Sequence, residues 1–194
     1  MSLKEFINDC LKFADKRLTD FKKLDSEKEF LFFRFKKDLA GADRKVREQL
    51  FREFIFHLVT AIDFLAQYIN TKRSLNIDVK DVNRKSLRDE LERLNHQDPI
   101  IPVFDILYPR TRNTTPPTDP YSEEGNHYRI FIYRNLVTHR AFNPITVKIP
   151  ARSVHLILYP NLPVSNPSDK SIIEEMEIFL ELIKEKCKKI INML

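Results

Sequence analysis

The sequence predicts a mostly α-helical protein, a bundle of long antiparallel helices, and three observations carry that expectation. Apolar residues recur at helical spacing through long stretches, as in Phe6, Ile7, Leu11, Phe13, Ala14 and Leu18. Helix-start signatures precede several stretches: Ser2 with Glu5, Asp98-Pro99, Asp119-Pro120 and Ser171 with Glu174. β-branched and aliphatic runs bounded by prolines occur only at residues 145–149 and 154–159, enough for one small hairpin attached to the bundle.

Taken in order, Ser2 and Glu5 form a capping box for a first amphipathic helix that continues to about Leu39, with a break allowed near Asp25-Ser26. After Gly41, Asp43 caps a second helix to about Asn70, apolar nearly all round from Phe51 to Ile69 and therefore central to the core. Ser86 to Leu94 reads as a short third helix, and Asp98-Pro99 opens a fourth that ends at Leu107 or Tyr108. Residues 109–119 combine Pro109, Pro116 and Pro117 with Arg110 and Arg112, the composition of a mobile loop placed to act as a lid or to contact nucleic acid. Asp119-Pro120 begins a long aromatic helix, Tyr121 to Phe142, stopped before Pro144. Ser171 and Glu174 cap a last helix whose terminal lysines, Lys184, Lys186, Lys188 and Lys189, suit the negative helix end.

With 194 residues, 42% hydrophobic and 31% charged, the chain is of globular composition, and one this long buries roughly 70% of its unfolded surface. A single helical domain, 1–194, is expected. The stretch from Phe54 to Ala66 is broken by His57, Thr60 and Asp63 and falls short of the roughly 20 apolar residues that span a bilayer. The first residues lack a secretion signal, so a cytoplasmic protein with no membrane partner is expected. Cys10 and Cys187, the two cysteines, exclude a disulfide framework or a cysteine-based zinc cluster. The two glycines, Gly41 and Gly125, are isolated, which rules out phosphate-cradling loops and the glycine-flanked serine elbow of hydrolases. A net charge of +5 suits a polyanionic partner.

Chemistry concentrates on the 120–142 helix. At about 100° per residue, Tyr128, Phe131, Ile132, Asn135, His139 and Phe142 share one sector, and Asn135 and His139 are neighbours one turn apart. Arg134 projects about 100° from Asn135 and can reach round. A buried polar group without a partner costs about 1–3 kcal/mol, so this pair needs one. Asp63, on a stripe with Arg52, Phe56, Val59, Thr60 and Gln67, is a candidate, while an ion pair with Arg52 or another base is its structural alternative. His57, between Leu50, Phe54 and Phe64, reads as a core histidine, and His96, His127 and His155 lack companions at metal-ligand spacing.

The run Arg134-Asn135-Leu136-Val137-Thr138-His139 resembles the Arg, four to six residues, His motif of HEPN proteins (higher eukaryotes and prokaryotes nucleotide-binding), in the form with Asn directly after Arg. Arg52 to His57 shares the spacing, but Asn135, the following Arg140 and a place on a late helix after an acidic core helix single out residues 134–139. The resemblance spans about residues 44–142, leaving 145–194 as a C-terminal hairpin and helix. It implies a helical bundle, commonly a homodimer in which two motifs meet, and a metal-independent endoribonuclease acting as a toxin or antiviral defence effector. Arg134, Asn135, His139 and Asp63 would be catalytic, and Arg140, Tyr133, Arg110 and Arg112 would contact RNA. No metal and no cofactor would be needed. A neutralising antitoxin or a nucleotidyltransferase-like protein would be a further partner. The alternatives are a non-catalytic HEPN-like module that binds a nucleotide or partner, and an unrelated helical scaffold.

Overall fold

Ser2 opens α1 (Leu3–Phe35) as its spacing predicts: its Oγ accepts from the Glu5 N–H at 3.3 Å and its own N–H donates back to Glu5 Oε2 at 2.5 Å. The structure, a computed structural model, describes residues 2–35, 42–109, 117–139, 145–148, 155–158 and 172–194, with side chains described at 2–24, 45–109, 117–135 and 172–194. α1 runs through Asp25-Ser26 without a break. Its expected end near Leu39 lies outside the described residues.

Cross-helix contacts give α2 (Ala42–Lys72) its direction. Phe6 stacks on Phe64 at 5.1 Å, Phe13 on His57 at 5.4 Å, and Arg17 Nε meets Glu53 Oε2 at 2.7 Å, so the partner number falls as α1 ascends and the two helices are antiparallel. Asp43 falls inside this helix, not at its cap. Phe51, Phe54, Ile55, Leu58, Ile62, Leu65 and Ile69 are all fully buried, which makes α2 the centre of the core. It is not apolar-buried all round: Phe56 is 60% exposed, and His57 is only half-buried, its ring held between Phe13 and Phe56 and not in the core.

After α2 the Asn70 side chain bridges to Ile77, donating to its carbonyl at 2.8 Å and accepting from its N–H at 3.2 Å. α3 (Arg84–Leu94) starts two residues before the expected Ser86, because Asn83 is the cap. Asn83 Oδ1 accepts from Lys85 and Ser86 N–H groups at 3.0 and 3.2 Å, and Ser86 serves as the reciprocal acceptor. α4 (Ile100–Leu107) follows Asp98, whose carboxylate accepts from the Ile100 N–H at 2.9 Å.

The next helix, α5 (Glu123–His139), begins later than Asp119-Pro120 suggests, because those residues form a turn whose Asp119 Oδ1 accepts from Tyr121 N–H at 2.9 Å. Ser122 then accepts from Gly125 N–H at 3.1 Å. Gly125 is needed there, since a Cβ would run into the Asp119 carbonyl and the Pro120 backbone. The expected end at Phe142 lies outside the described residues.

β1 (Ile145–Lys148) and β2 (His155–Leu158) form the small antiparallel hairpin, with Ile145 opposite Leu158 and Lys148 opposite His155. α6 (Ile172–Met193) closes the bundle; the expected capping residue Ser171 lies outside the described residues. Lys22 meets Glu177 at 2.5 Å and Lys184 meets Asp15 at 3.8 Å, so α6 is antiparallel to α1. Lys186 is not a free lysine at a helix end: it is largely buried and paired with Glu123 at the start of α5. Among the described residues no helix is long and apolar enough to cross a membrane.

Candidate functional site

α5 has two regimes. From Gly125 to Phe131 every residue is buried, so this half threads the bundle. Beyond it the burial becomes one-sided: Tyr133 stays 1% exposed, while Ile132, Arg134 and Asn135 are partly open. Arg134 and Asn135, two of the polar residues singled out by the sequence, therefore sit at the rim of the core.

Asp63 on α2 and Tyr108 at the end of α4 meet at this rim. The Tyr108 hydroxyl donates to Asp63 Oδ1 at 3.1 Å, and its ring stacks on Phe131 of α5 at 4.8 Å and 22°. Arg134 Nη1 donates to Asn135 Oδ1 at 3.1 Å, and its positive charge acts on both Asp63 and Tyr108. The base whose charge acts on Asp63 is Arg134 and, among the described residues, not Arg52.

Burial pushes the Asp63 carboxyl above its ordinary value, against the Tyr108 hydrogen bond and the Arg134 charge, which both favour the ionised form. Burial likewise raises the Tyr108 phenol, aided by the charge of Asp63 and the bond to it and opposed by Arg134 and Arg84. Tyr108 is thus a neutral donor at any physiological pH. Its backbone is fixed as well: Arg84 Nε donates to the Tyr108 carbonyl at 2.5 Å, and Arg84 Nη2 donates to Asp105 Oδ1 at 2.6 Å.

His139 is the last residue of α5, one turn beyond Asn135 on the same sector; its side chain lies outside those described, as do Arg110, Arg112 and Arg140. Tyr133 requires a correction. It was expected to contact RNA, but it is buried between Phe51 at 5.6 Å and Phe179 at 6.3 Å, because the side of α5 through Arg129, Ile130 and Tyr133 also faces the core.

Sequence reasoning missed Tyr108 and Arg84. A tyrosine at a helix end must find a partner for its hydroxyl when its ring is buried, and Asp63 on an apolar helix needed a donor; together those two requirements were the available signal. It also missed a second polar cluster inside α5–α6. Arg129 Nη2 meets Glu175 Oε2 at 2.5 Å with side chains 1% and 2% exposed, and the Arg129 guanidinium lies over the Tyr121 ring at 4.8 Å and the Phe179 ring at 5.1 Å. Beside it His127 is fully buried, and among the described residues neither ring nitrogen has a hydrogen-bond partner. Burial lowers His127 to about 4. Cys10 and Cys187 are free and buried, and burial pushes Cys187 up to about 12, an inert thiol.

Among the described residues no three His, Cys, Asp or Glu side chains group as ligands for a metal ion. Comparisons with protein-family models, with curated proteins and with solved structures give no match to this chain.

Proposed function

We propose that this chain is a metal-independent endoribonuclease of the HEPN type, with Arg134, Asn135 and His139 of α5 as its motif and its site at the rim where Arg134 and Asn135 emerge from the core. The observation that carries the reading is the Asp63–Tyr108 hydrogen bond at 3.1 Å in the electrostatic field of a partly exposed Arg134. A guanidinium bonded to Asn135 and in the field of a half-buried carboxylate, yet partly open to solvent, suits a phosphate ligand better than a core ion pair does.

The chemistry needs a base, an acid and a cation. The ribose 2′-hydroxyl attacks the adjacent phosphorus, its proton passes to one imidazole, the bond from phosphorus to the 5′-oxygen breaks, and a second imidazole protonates that oxygen. His139 from each of two copies would fill these roles, a contribution typically worth about 10² to 10⁴ in rate. Arg134 would stabilise the charge that builds on the phosphoryl oxygens, and Asn135 would orient Arg134 or bind the phosphate directly. Support for a second copy comes from exposed aromatic surface: Phe56, 60% exposed, lies two turns before Asp63 on the same face of α2, and it and Phe13 of α1, 49% exposed, both pack against His57.

The reading is tested by incubating the chain and its Arg134→Ala variant with mixed RNA in excess chelator. Cleavage by the first and not the second supports it. Absence of cleavage by a folded wild-type chain over a broad substrate set turns the reading toward a module that binds nucleotide or partner without cutting.

A further inference from the structure

We propose that Tyr108 is a positioning residue: its hydroxyl fixes the Asp63 carboxylate as the counter-charge that directs the Arg134 guanidinium. The proposal deepens the reading above and rests on it only for what the guanidinium binds.

Tyr108 is held from three elements before it touches Asp63. Its ring lies flat on Phe131 of α5 at 4.8 Å and edge-on to Phe104 of α4 at 5.8 Å. Its N–H donates to the Phe104 carbonyl at 2.8 Å, closing α4, and its own carbonyl accepts from Arg84 of α3 at 2.5 Å. Arg84 is in turn oriented by Asp105 at 2.6 Å, which also faces Arg88 at 3.4 Å. The position of the hydroxyl is therefore over-determined by α3, α4 and α5, while the carboxylate that it meets belongs to α2.

That asymmetry gives the bond a direction of influence. A carboxylate accepts at two oxygens, so a fixed donor at Oδ1 sets the rotation of the whole group and hence where its charge stands relative to Arg134. Among the described residues, the Tyr108 hydroxyl bonds Asp63 and the Arg134 charge acts on it, while Asp63, Arg134 and Arg84 act on Tyr108. Arg134 favours the ionised form of both groups and Arg84 that of Tyr108, and a carboxyl is a far stronger acid than a phenol, so the charge resides on Asp63 and the proton on the phenol. Asparagine at position 135 then receives a guanidinium already aimed.

The experiment uses the full chain with Tyr108→Phe, which keeps both ring contacts and removes the hydroxyl. Carbon-detected NMR follows the Asp63 carboxyl titration, and the Arg134 Nε–Hε resonance reports the order of its side chain. The expected result is an upward move of the Asp63 midpoint and a displaced or broadened Arg134 signal. Asp63→Asn, which keeps an acceptor for Tyr108, is expected to disturb Arg134 in the same way. In the ribonuclease assay the acidic limb of the Tyr108→Phe pH profile should move upward with the Asp63 midpoint, and RNA affinity should fall several-fold. An Asp63 midpoint and an Arg134 signal that stay put in folded Tyr108→Phe overturn the proposal whatever the RNA assay shows. Movement of both signals in a chain that cuts no RNA sinks the ribonuclease reading and leaves the coupling standing.

Discussion

Arg129 on α5 and Glu175 on α6 form a 2.5 Å ion pair that solvent barely reaches, the two side chains being 1% and 2% exposed. Together with the Lys186–Glu123 pair, it fixes α5 antiparallel to α6. The same half of α5 thereby sets where Arg134 and Asn135 emerge. A fold that holds two charges out of water is sensitive to losing either one singly, since the survivor is left buried without a counter-charge.

Glu175→Ala is therefore expected to cost about 3–5 kcal/mol, whereas the double change Arg129→Met with Glu175→Leu should cost much less. Urea denaturation of the two variants and the wild type checks this. Equal losses in the single and double variants would show that the pair is not what makes the site vulnerable.

His127 links stability to acid. Its folded value of about 4 lies below its ordinary 6.5, so the fold prefers the neutral ring; that stability is fully present above 6.5 and is lost as pH falls through 4. The shift corresponds to about 3 kcal/mol. His127→Leu should show a flatter stability profile between pH 6.5 and 4 in chemical denaturation, and an unchanged slope would contradict the assignment.

Asp63 has the opposite sense. Its carboxyl is raised by burial, so folding disfavours ionisation relative to the unfolded chain and the ionised form costs stability at neutral pH. Asp63→Asn should raise the denaturation midpoint at pH 7, with the gain disappearing below the carboxylate range, while RNA cleavage falls. Stability gained where activity is lost is the mark of a group kept for function; a loss of both would make Asp63 a structural residue.

Tyr133→Phe tests the burial of that ring. Its hydroxyl is buried and, among the described residues, has no hydrogen-bond partner, so removing it should leave stability within about 1 kcal/mol of wild type or improve it, and leave RNA binding unchanged. Weaker RNA binding would restore the contact role expected from the sequence.

Much of the architecture could be read from residue pattern because its causes are local. Ser2 with Glu5 behaves as a capping box and the Phe51–Ile69 stretch as the core helix because hydrogen-bond spacing and apolar periodicity act within a few turns. Helix starts slipped where two capping residues compete, as with Asn83 over Ser86 and Ser122 over Asp119. The site was half legible. Asp63 stood out as a carboxylate in an apolar helix, but its partner Tyr108 is distant in sequence and its surroundings ordinary. Tyr133 was misread because the sector through Phe131 and Asn135 was read as the inward face; Phe131 is buried, but so is the opposite side of α5 through Arg129, Ile130 and Tyr133. An arginine on the inward side is invisible to hydrophobic periodicity until Glu175 is seen opposite it.

The most direct test of the central claim is the chemistry of the RNA ends. Wild-type chain and His139→Ala, both confirmed folded, are incubated with RNA in excess chelator and the fragments are analysed. The account expects 2′,3′-cyclic phosphate and 5′-hydroxyl ends from the wild type, and a loss of at least about 100-fold in rate for the variant. Equal cleavage by His139→Ala, or 5′-phosphate ends from the wild type, would contradict it.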